Sequence, residues 1–195
     1  MSSIVGHLAV GVSVCLCRCP RSDSSARRAL PALAFLAIAP DFDYFALWWF
    51  GVELAPRVTH SLAFCALLAG GVSFLFNRAE PALAGRFPFP LLAVASCSHP
   101  FLDLLVGVHS VPLFWPFSQT ELMLPVGVLP SAGRLQVTNY YLWRNLFIEM
   151  GVLLPVLALV VALARSTPVA RIAALANYVV PVWAVFLAWA LSLSR

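Results

Sequence analysis

The sequence predicts an all-α, polytopic membrane helix bundle of about six helices, and three observations predict it. The 195 residues are 62% hydrophobic and only 10% charged, whereas a soluble domain averages about 45–50% apolar and about 25% charged residues. Apolar runs of membrane-spanning length recur along the chain, punctuated by Arg, Pro and Gly. All 12 basic residues are arginine, against 8 acids, and most sit in short connections. That distribution argues for membrane topology and gives no reason to expect a nucleic-acid partner. The bilayer itself is the first partner.

The first apolar run covers roughly 3–18. It has the length of a signal peptide, but no small-residue cleavage site follows and its charges come after it, so it reads as an anchor. The second covers 29–50 and is interrupted at Pro40. "RALPALAFLAIAP" alone is too short to cross a core of about 30 Å. It either continues through "DFDYFALWWF" as a kinked helix or turns back as a re-entrant element. Further helices are predicted over 58–77, 88–107, 143–164 and 170–193. Residues 108–142 form the one long connection, where "PLFWPF" suits an interfacial belt. No internal repeat or low-complexity tract divides the chain, so residues 1–195 read as one domain. The cysteines (Cys15, Cys17, Cys19, Cys65 and Cys97) lack paired zinc-knuckle spacing and read as small residues of membrane helices.

Against this background a few polar residues stand out. "SHPFLDLLVGVHS" places His99, Asp103 and His109 at the end of an apolar stretch running from Pro88 to Val106. His7 lies near the start of the first helix, Asp41 and Asp43 in "APDFDY", His60 in "PRVTHS", and Glu149 in the first turns of the fifth helix. Alternating helix directions carry every one of them toward the same membrane face. His99 and Asp103 are four residues apart, so their Cβ atoms share a helix face about 5–6 Å apart. Together they can offer an imidazole nitrogen and a carboxylate oxygen to one cation. An ionised Asp deep in a membrane helix costs at least about 2.5–3.5 kcal/mol, and a divalent ion offsets that cost. The N/O donor set suits Zn, Mn or Fe better than Ca or Cu(I). Two ions sharing a bridging carboxylate would clamp an attacking water and a phosphoryl or acyl oxygen.

Simpler roles exist for each residue alone. His7 reads singly as a hydrogen-bonded structural histidine, and Asp43 as a cap for the helix after Pro40. Glu149 could pair with Arg144 or Arg134, and Arg57 could be an interfacial anchor. Their convergence on one face is what favours a metal centre.

The same residues carry a resemblance. "GHLAVG", "APDFDY", "RVTHS", "SHPFLDLL" and "VPLFWPFS", in order over roughly residues 1–118, resemble the bacterial family of LexA-binding, inner membrane-associated metal-dependent hydrolases. That family is distantly similar to the zinc-dependent phospholipase C superfamily, whose pattern is His-x3-Asp-x5-His followed by His-x3-Glu. His99, Asp103 and His109 match the first part, while Asn145 and Glu149 occupy the second, without its His. The isolated His, Asp and His ligands fall on His7, Asp41 (or Asp43) and His60. The superfamily's N-terminal tryptophan ligand has no counterpart, so two ions are expected rather than three, with Asn145 as an outer hydrogen-bonding group.

The resemblance implies a multi-pass, metal-dependent hydrolase of the bacterial inner membrane, acting on a phosphoester, and the position of the site at a membrane face points to a lipid-like substrate. The expected metal ligands are His7, Asp41, Asp43, His60, His99, Asp103, His109 and Glu149, with zinc the favoured ion. Asp41 or Asp43 would act as general base, and Arg57 would hold substrate phosphate. Two competing classes are a metal-ion transporter or channel and a non-catalytic regulatory protein using its Arg-rich loop. A transporter should continue its ionisable residues toward the inner face, and the inner halves of the helices carry few.

Arginine also predicts orientation. Arg18, Arg21, Arg27, Arg28, Arg78, Arg86, Arg165 and Arg171 fall on one side, and Arg57, Arg134, Arg144 and Arg195 on the other. The side richer in arginine is cytoplasmic by the positive-inside rule, which puts both termini and the polar cluster outside. Topology reporters fused at residues 24 and 168 should therefore read cytoplasmic, and those at 54 and 125 external. The opposite pattern would invert the face of the site.

Overall fold

The computed structural model describes residues 3–19, 24–52, 55–131 and 136–193, without the side chain of Trp48. Arg21, Arg134 and Arg195 of the orientation count lie outside the described residues, as does Leu54. Within them the chain is helical, with one isolated antiparallel bridge between Val111 and Leu122. The helices are α1 (Ile4–Arg18), α2 (Ser24–Ile38), α3 (Asp43–Phe50), α4 (Leu62–Ala79), α5 (Pro81–Arg86), α6 (Phe89–Val106), α7 (Tyr140–Ala164) and α8 (Val169–Ser192). Short 3₁₀ turns, Ala39–Phe42 and Val58–His60, precede α3 and α4. This is a polytopic helical bundle.

Among the described residues, five segments are long and apolar enough to cross a membrane: Ser24–Leu47, Leu62–Ala79, Phe89–Val106, Tyr140–Ala164 and Val169–Ser192. Pro40 sits in the 3₁₀ turn that links α2 to α3, and Ser24–Leu47 taken together is long and apolar enough to cross a membrane, as the kinked continuation at Pro40 requires. The expected first span differs. At 15 residues, α1 extends about 22 Å, short of a core of about 30 Å. One face packs against α2, α6 and α7, burying Gly6, His7, Val10, Gly11, Val14 and Cys15, while Ile4, Val5 and Val12 are exposed on the other.

Helix starts also moved from their expected positions, for local reasons. Helix α2 begins at Ser24 rather than 29, so Arg27 and Arg28 are helical, and Arg28 pairs with Glu80 at 2.6 Å. Helix α4 begins after His60 because Ser61 caps it, its hydroxyl accepting from Phe64 N–H at 3.2 Å. Helix α7 starts three residues early, capped by Asn139, whose side-chain oxygen accepts from Tyr141 N–H. The short α5, led by Pro81 in its first turn, was not expected from periodicity because it is a single turn and a half.

The consequence for the site is a sorting of helix ends. The N-terminal ends of α1, α4 and α7 and the C-terminal ends of α2 and α6 meet at one end of the bundle. The opposite end carries the arginines of the connections, where Arg165 donates to the Leu16 and Cys19 carbonyls that close α1. The long connection is tied down at the site end. Val128 and Leu129 N–H both donate to Leu105 O, and Leu62 N–H donates to Leu113 O. Gly107 ends α6 with φ of 64°, and a Cβ there would come within 2.9 Å of Gly127. Phe114 and Phe117 of "PLFWPF" are exposed, as an interfacial belt requires.

Close backbone approach joins α1 to α2. A Cβ on Gly11 would lie 2.8 Å from Leu33 O and 3.3 Å from Ala34 Cα, both rigid backbone atoms. Gly70, on α4, has open space around it. Gly11→Val should therefore destabilise the purified protein by about 1–3 kcal/mol through overpacking, read as a lowered thermal unfolding midpoint. Gly70→Val should change it much less, and equal effects would contradict the assigned packing.

Candidate metal centre

Four side chains from three segments meet where those helix ends converge. The 3₁₀ turn after α2 supplies Asp41, the turn before α4 supplies His60, and the last turns of α6 supply His99 and Asp103. One donor atom from each lies within 4.8 Å of every other. His60 Nε2 is 3.3 Å from His99 Nε2, 3.3 Å from Asp103 Oδ2 and 3.5 Å from Asp41 Oδ1. His99 Nε2 is 3.5 Å from Asp41 Oδ1 and 3.8 Å from Asp103 Oδ2. Donors at 2.0–2.1 Å from a tetrahedral ion are about 3.3 Å apart, so these edges are close to those of a tetrahedral shell.

Hydrogen bonding turns the imidazoles inward. His99 Nδ1 is 2.8 Å from Ala37 O. A carbonyl only accepts, so Nδ1 carries the proton and Nε2 keeps its lone pair. His60 Nδ1 is 3.1 Å from Thr59 Oγ1, and that hydroxyl donates to Asp43 Oδ2 at 3.0 Å. With its one proton committed to a carboxylate, the Thr59 hydroxyl accepts from His60 Nδ1–H. His60 Nε2 is then also a lone pair. Two imidazole lone pairs and two carboxylate oxygens point at one place, and Asp41 Oδ1 is buried with no hydrogen-bond partner among the described residues. The group calls for positive charge. Burial by itself would lower the His60 pKa, but Asp103 and Asp41 outweigh it and raise it. A divalent cation fits this donor set.

The remaining expected residues take distinct places. His7 is fully buried and stacks on His99 with ring centroids 3.8 Å apart, its Nε2 3.5 Å from Asp103 Oδ1. Asp43 stands outside the group of four: its oxygens receive Arg57 Nε at 2.8 Å, Arg57 Nη2 at 2.7 Å and the Thr59 hydroxyl. Burial alone would lower the Arg57 pKa, but the Asp43 hydrogen bonds and charge raise it further. Glu149 is buried and accepts from Ser3 N–H at 3.0 Å, fastening the start of α1 to α7. Arg144 hydrogen-bonds Asn145 Oδ1 rather than showing the considered pairing with Glu149, and Asn145 in turn donates to Ser131 O. Asn145 is thus tied to the long connection.

His109 is exposed and lies beside the group rather than within it. Together with Arg57, His60 and Asp103 it borders a cavity of about 10 Å3, room for roughly one water. Burial, with the Arg57 charge adding to it, lowers the His109 pKa. An adjoining cleft of about 280 Å3 is lined by Asp43, Tyr44, Leu47, Arg57, His109 and Glu121 among others. Sequence reasoning missed Thr59, the Ala37 carbonyl and Tyr44, whose ring lies 4.4 Å from the Arg57 guanidinium carbon. Thr59 adjoins His60 inside "RVTHS", but nothing in one sequence marks a neighbouring hydroxyl as the group that orients a ring.

Fold and site thus define an integral membrane protein with a buried Asp-His-His-Asp group able to hold a metal ion. The chain belongs to the YdjM inner membrane protein family, whose family model matches residues 1–193. Comparison with curated proteins and with solved structures gives no significant match.

Metal analysis of the purified protein should detect a bound divalent transition metal. His60→Ala and His99→Ala should each abolish or strongly reduce it, because each removes a donor. Thr59→Val keeps all four donors but breaks the bond that orients His60, and should weaken metal affinity by about 10–100-fold. Undiminished metal in both His variants would refute the centre.

Proposed function

We propose that this chain is a membrane-embedded, metal-dependent hydrolase that cleaves a phosphoester in a lipid-like substrate. The observation that supports it best is the adjacency of three things: a four-donor group, a water-sized cavity against it, and a cleft bearing an arginine. A divalent ion held by three of Asp41, His60, His99 and Asp103, or by all four with a fifth position open toward the cavity, would polarise a phosphoryl oxygen and lower the pKa of water. Zinc suits two imidazoles and two carboxylates.

The chain's own residues supply the rest. Asp43 holds the Arg57 guanidinium by two hydrogen bonds and Nη1 donates to the Tyr44 hydroxyl at 3.3 Å, so the positive charge is fixed at the cleft, where it would attract substrate phosphate. Asp43 is thereby a positioning residue in this reading, although either Asp41 or Asp43 was expected as the base. His109 borders the water-sized cavity, where its imidazole is placed to take a proton from the attacking water. Asp103 directs Oδ2 to the group of four and Oδ1 to His7, both of whose ring nitrogens are buried without a hydrogen-bond partner among the described residues. His7 and Asp103 would thus be the residues to help hold a second ion.

The lipid-like substrate follows from position. Tyr44 and Leu47 line the cleft from α3, which also exposes Phe45, Trp49 and Phe50. These are apolar side chains suited to the bilayer. The arginines of the opposite end favour an extracytoplasmic site. The LexA-binding label of the resembled family forms no part of this proposal.

Vesicles containing a phosphoester lipid should release a phosphorylated or free headgroup when incubated with the metal-loaded protein, and a chelator should stop the release. Arg57→Ala should lower kcat/KM about tenfold or more through lost charged hydrogen bonds while retaining bound metal. Parallel loss of metal and activity would reassign Arg57 to a structural role. Absence of cleavage across phosphoester lipid classes, with metal bound, would sink the hydrolase reading.

A further inference from the structure

Helix α8 buries one face and leaves the other uncovered. Its inward face packs on α7, where Trp183 Nε1 donates to Val152 O at 2.9 Å, Phe186 lies edge-on to Phe147, and Ala190 is fully buried. The outward face carries Ala173, Ala174, Asn177, Pro181, Ala184 and Ala188, all exposed. Asn177 is the anomaly. It lies six residues beyond Arg171, about 9 Å deeper along the helix, well inside a hydrocarbon core of about 30 Å. Its amide has no hydrogen-bond partner among the described residues. Elsewhere an exposed helical Asn satisfies itself: Asn77 Nδ2 donates to Ser73 O, one turn back, at 2.7 Å. Asn177 makes no such bond. Its side chain is too short to reach the headgroups, so lipid leaves both its donor and its acceptor unsatisfied.

We propose that the Asn177 face of α8 is a homodimer interface, occupied by α8 of a second copy of this chain. A carboxamide has both an acceptor oxygen and donor hydrogens, so it is complementary to itself. Copies inserted in the same orientation are related by a twofold axis along the membrane normal. That axis sets the two α8 helices parallel and brings Asn177 of each copy to the same depth. The interface is isologous: each amide donates to the other and accepts from it. Any other partner would have to present its own polar group at this depth and angle, which a second copy does automatically. The flanking alanines remove the bulk that would hold the two backbones apart, as small residues do in membrane helix pairs. The α7-facing side of α8 is untouched, so dimerisation leaves the metal group of each copy in place.

The test counts copies per particle for the full-length protein in nanodiscs, by single-molecule photobleaching of one fluorophore per chain, over a range of protein-to-lipid ratios. Wild type should form two-copy particles. Asn177→Leu should shift the monomer–dimer equilibrium toward monomer by about 3–30-fold, Asn177→Gln should restore much of the association, and Ala174→Trp should block it sterically. Leu67→Trp, on the exposed side of α4, should leave it unchanged. Retained metal content and thermal stability identify the variants as folded. Wild type that stays monomeric at every ratio, or a dimer indifferent to both Asn177→Leu and Ala174→Trp, would overturn the proposal.

Discussion

Two carboxylates withdrawn from water into an apolar bundle need positive charge, and that need organises one end of this molecule. Asp41 and Asp103 sit among side chains of three helices with His60 and His99 between them. An isolated ionised carboxylate in such surroundings is too costly to persist, whereas one facing a cation and flanked by imidazoles is not. The surrounding structure is arranged to keep the four donors together. Gly107 ends α6 one turn after Asp103 and admits Gly127 against it, while Ser61 starts α4 directly after His60. Glu149 fastens the start of α1, and with it His7, to α7.

The second organising element is the set of hydrogen bonds behind the donors. His99 is aimed by the end of α2 through Ala37 O, and His60 by a chain that runs through Thr59 to Asp43 and on to Arg57. The orientation of one imidazole is therefore coupled to the placement of the arginine at the cleft. In the proposed hydrolase this links the metal ligand to the phosphate-holding group by three hydrogen-bonded contacts. A buried network of this kind is favourable only when every member is satisfied, and Asp43 satisfies three donors at once.

Much of this was legible in the sequence because the bilayer makes strong demands. Apolar length and arginine punctuation located the long helices to within a few residues, and the spacing of His99 and Asp103 placed two donors on one face before any contact was known. What the sequence did not show were features that depend on neighbours. The 15 residues of α1 resembled a span by composition, yet the helix is too short for one and packs a face closely on α2 at Gly11. Eight residues were expected as ligands since all face one end of the bundle. Direction along the membrane normal is readable from helix polarity, but lateral distance is not. Only His60, Asp41, His99 and Asp103 share the group of four, with His7 stacked beside it.

Asp43 shows the limit most clearly. Two residues from Asp41 in the same short motif, it is chemically an equal candidate, and no pattern in the sequence separates them. The 3₁₀ turn after Pro40 rotates the two side chains apart: Asp41 turns into the bundle toward the imidazoles, and Asp43 turns toward Arg57 and Thr59. The sequence by itself determined the class of protein, the helices and the end at which the polar chemistry collects, because hydrophobic length and charge placement act locally along the chain. Which carboxylate joins the four-donor group, and which hydroxyl orients the ring, was decided only by the tertiary structure. Those choices depend on ångström-scale distances between segments that are tens of residues apart.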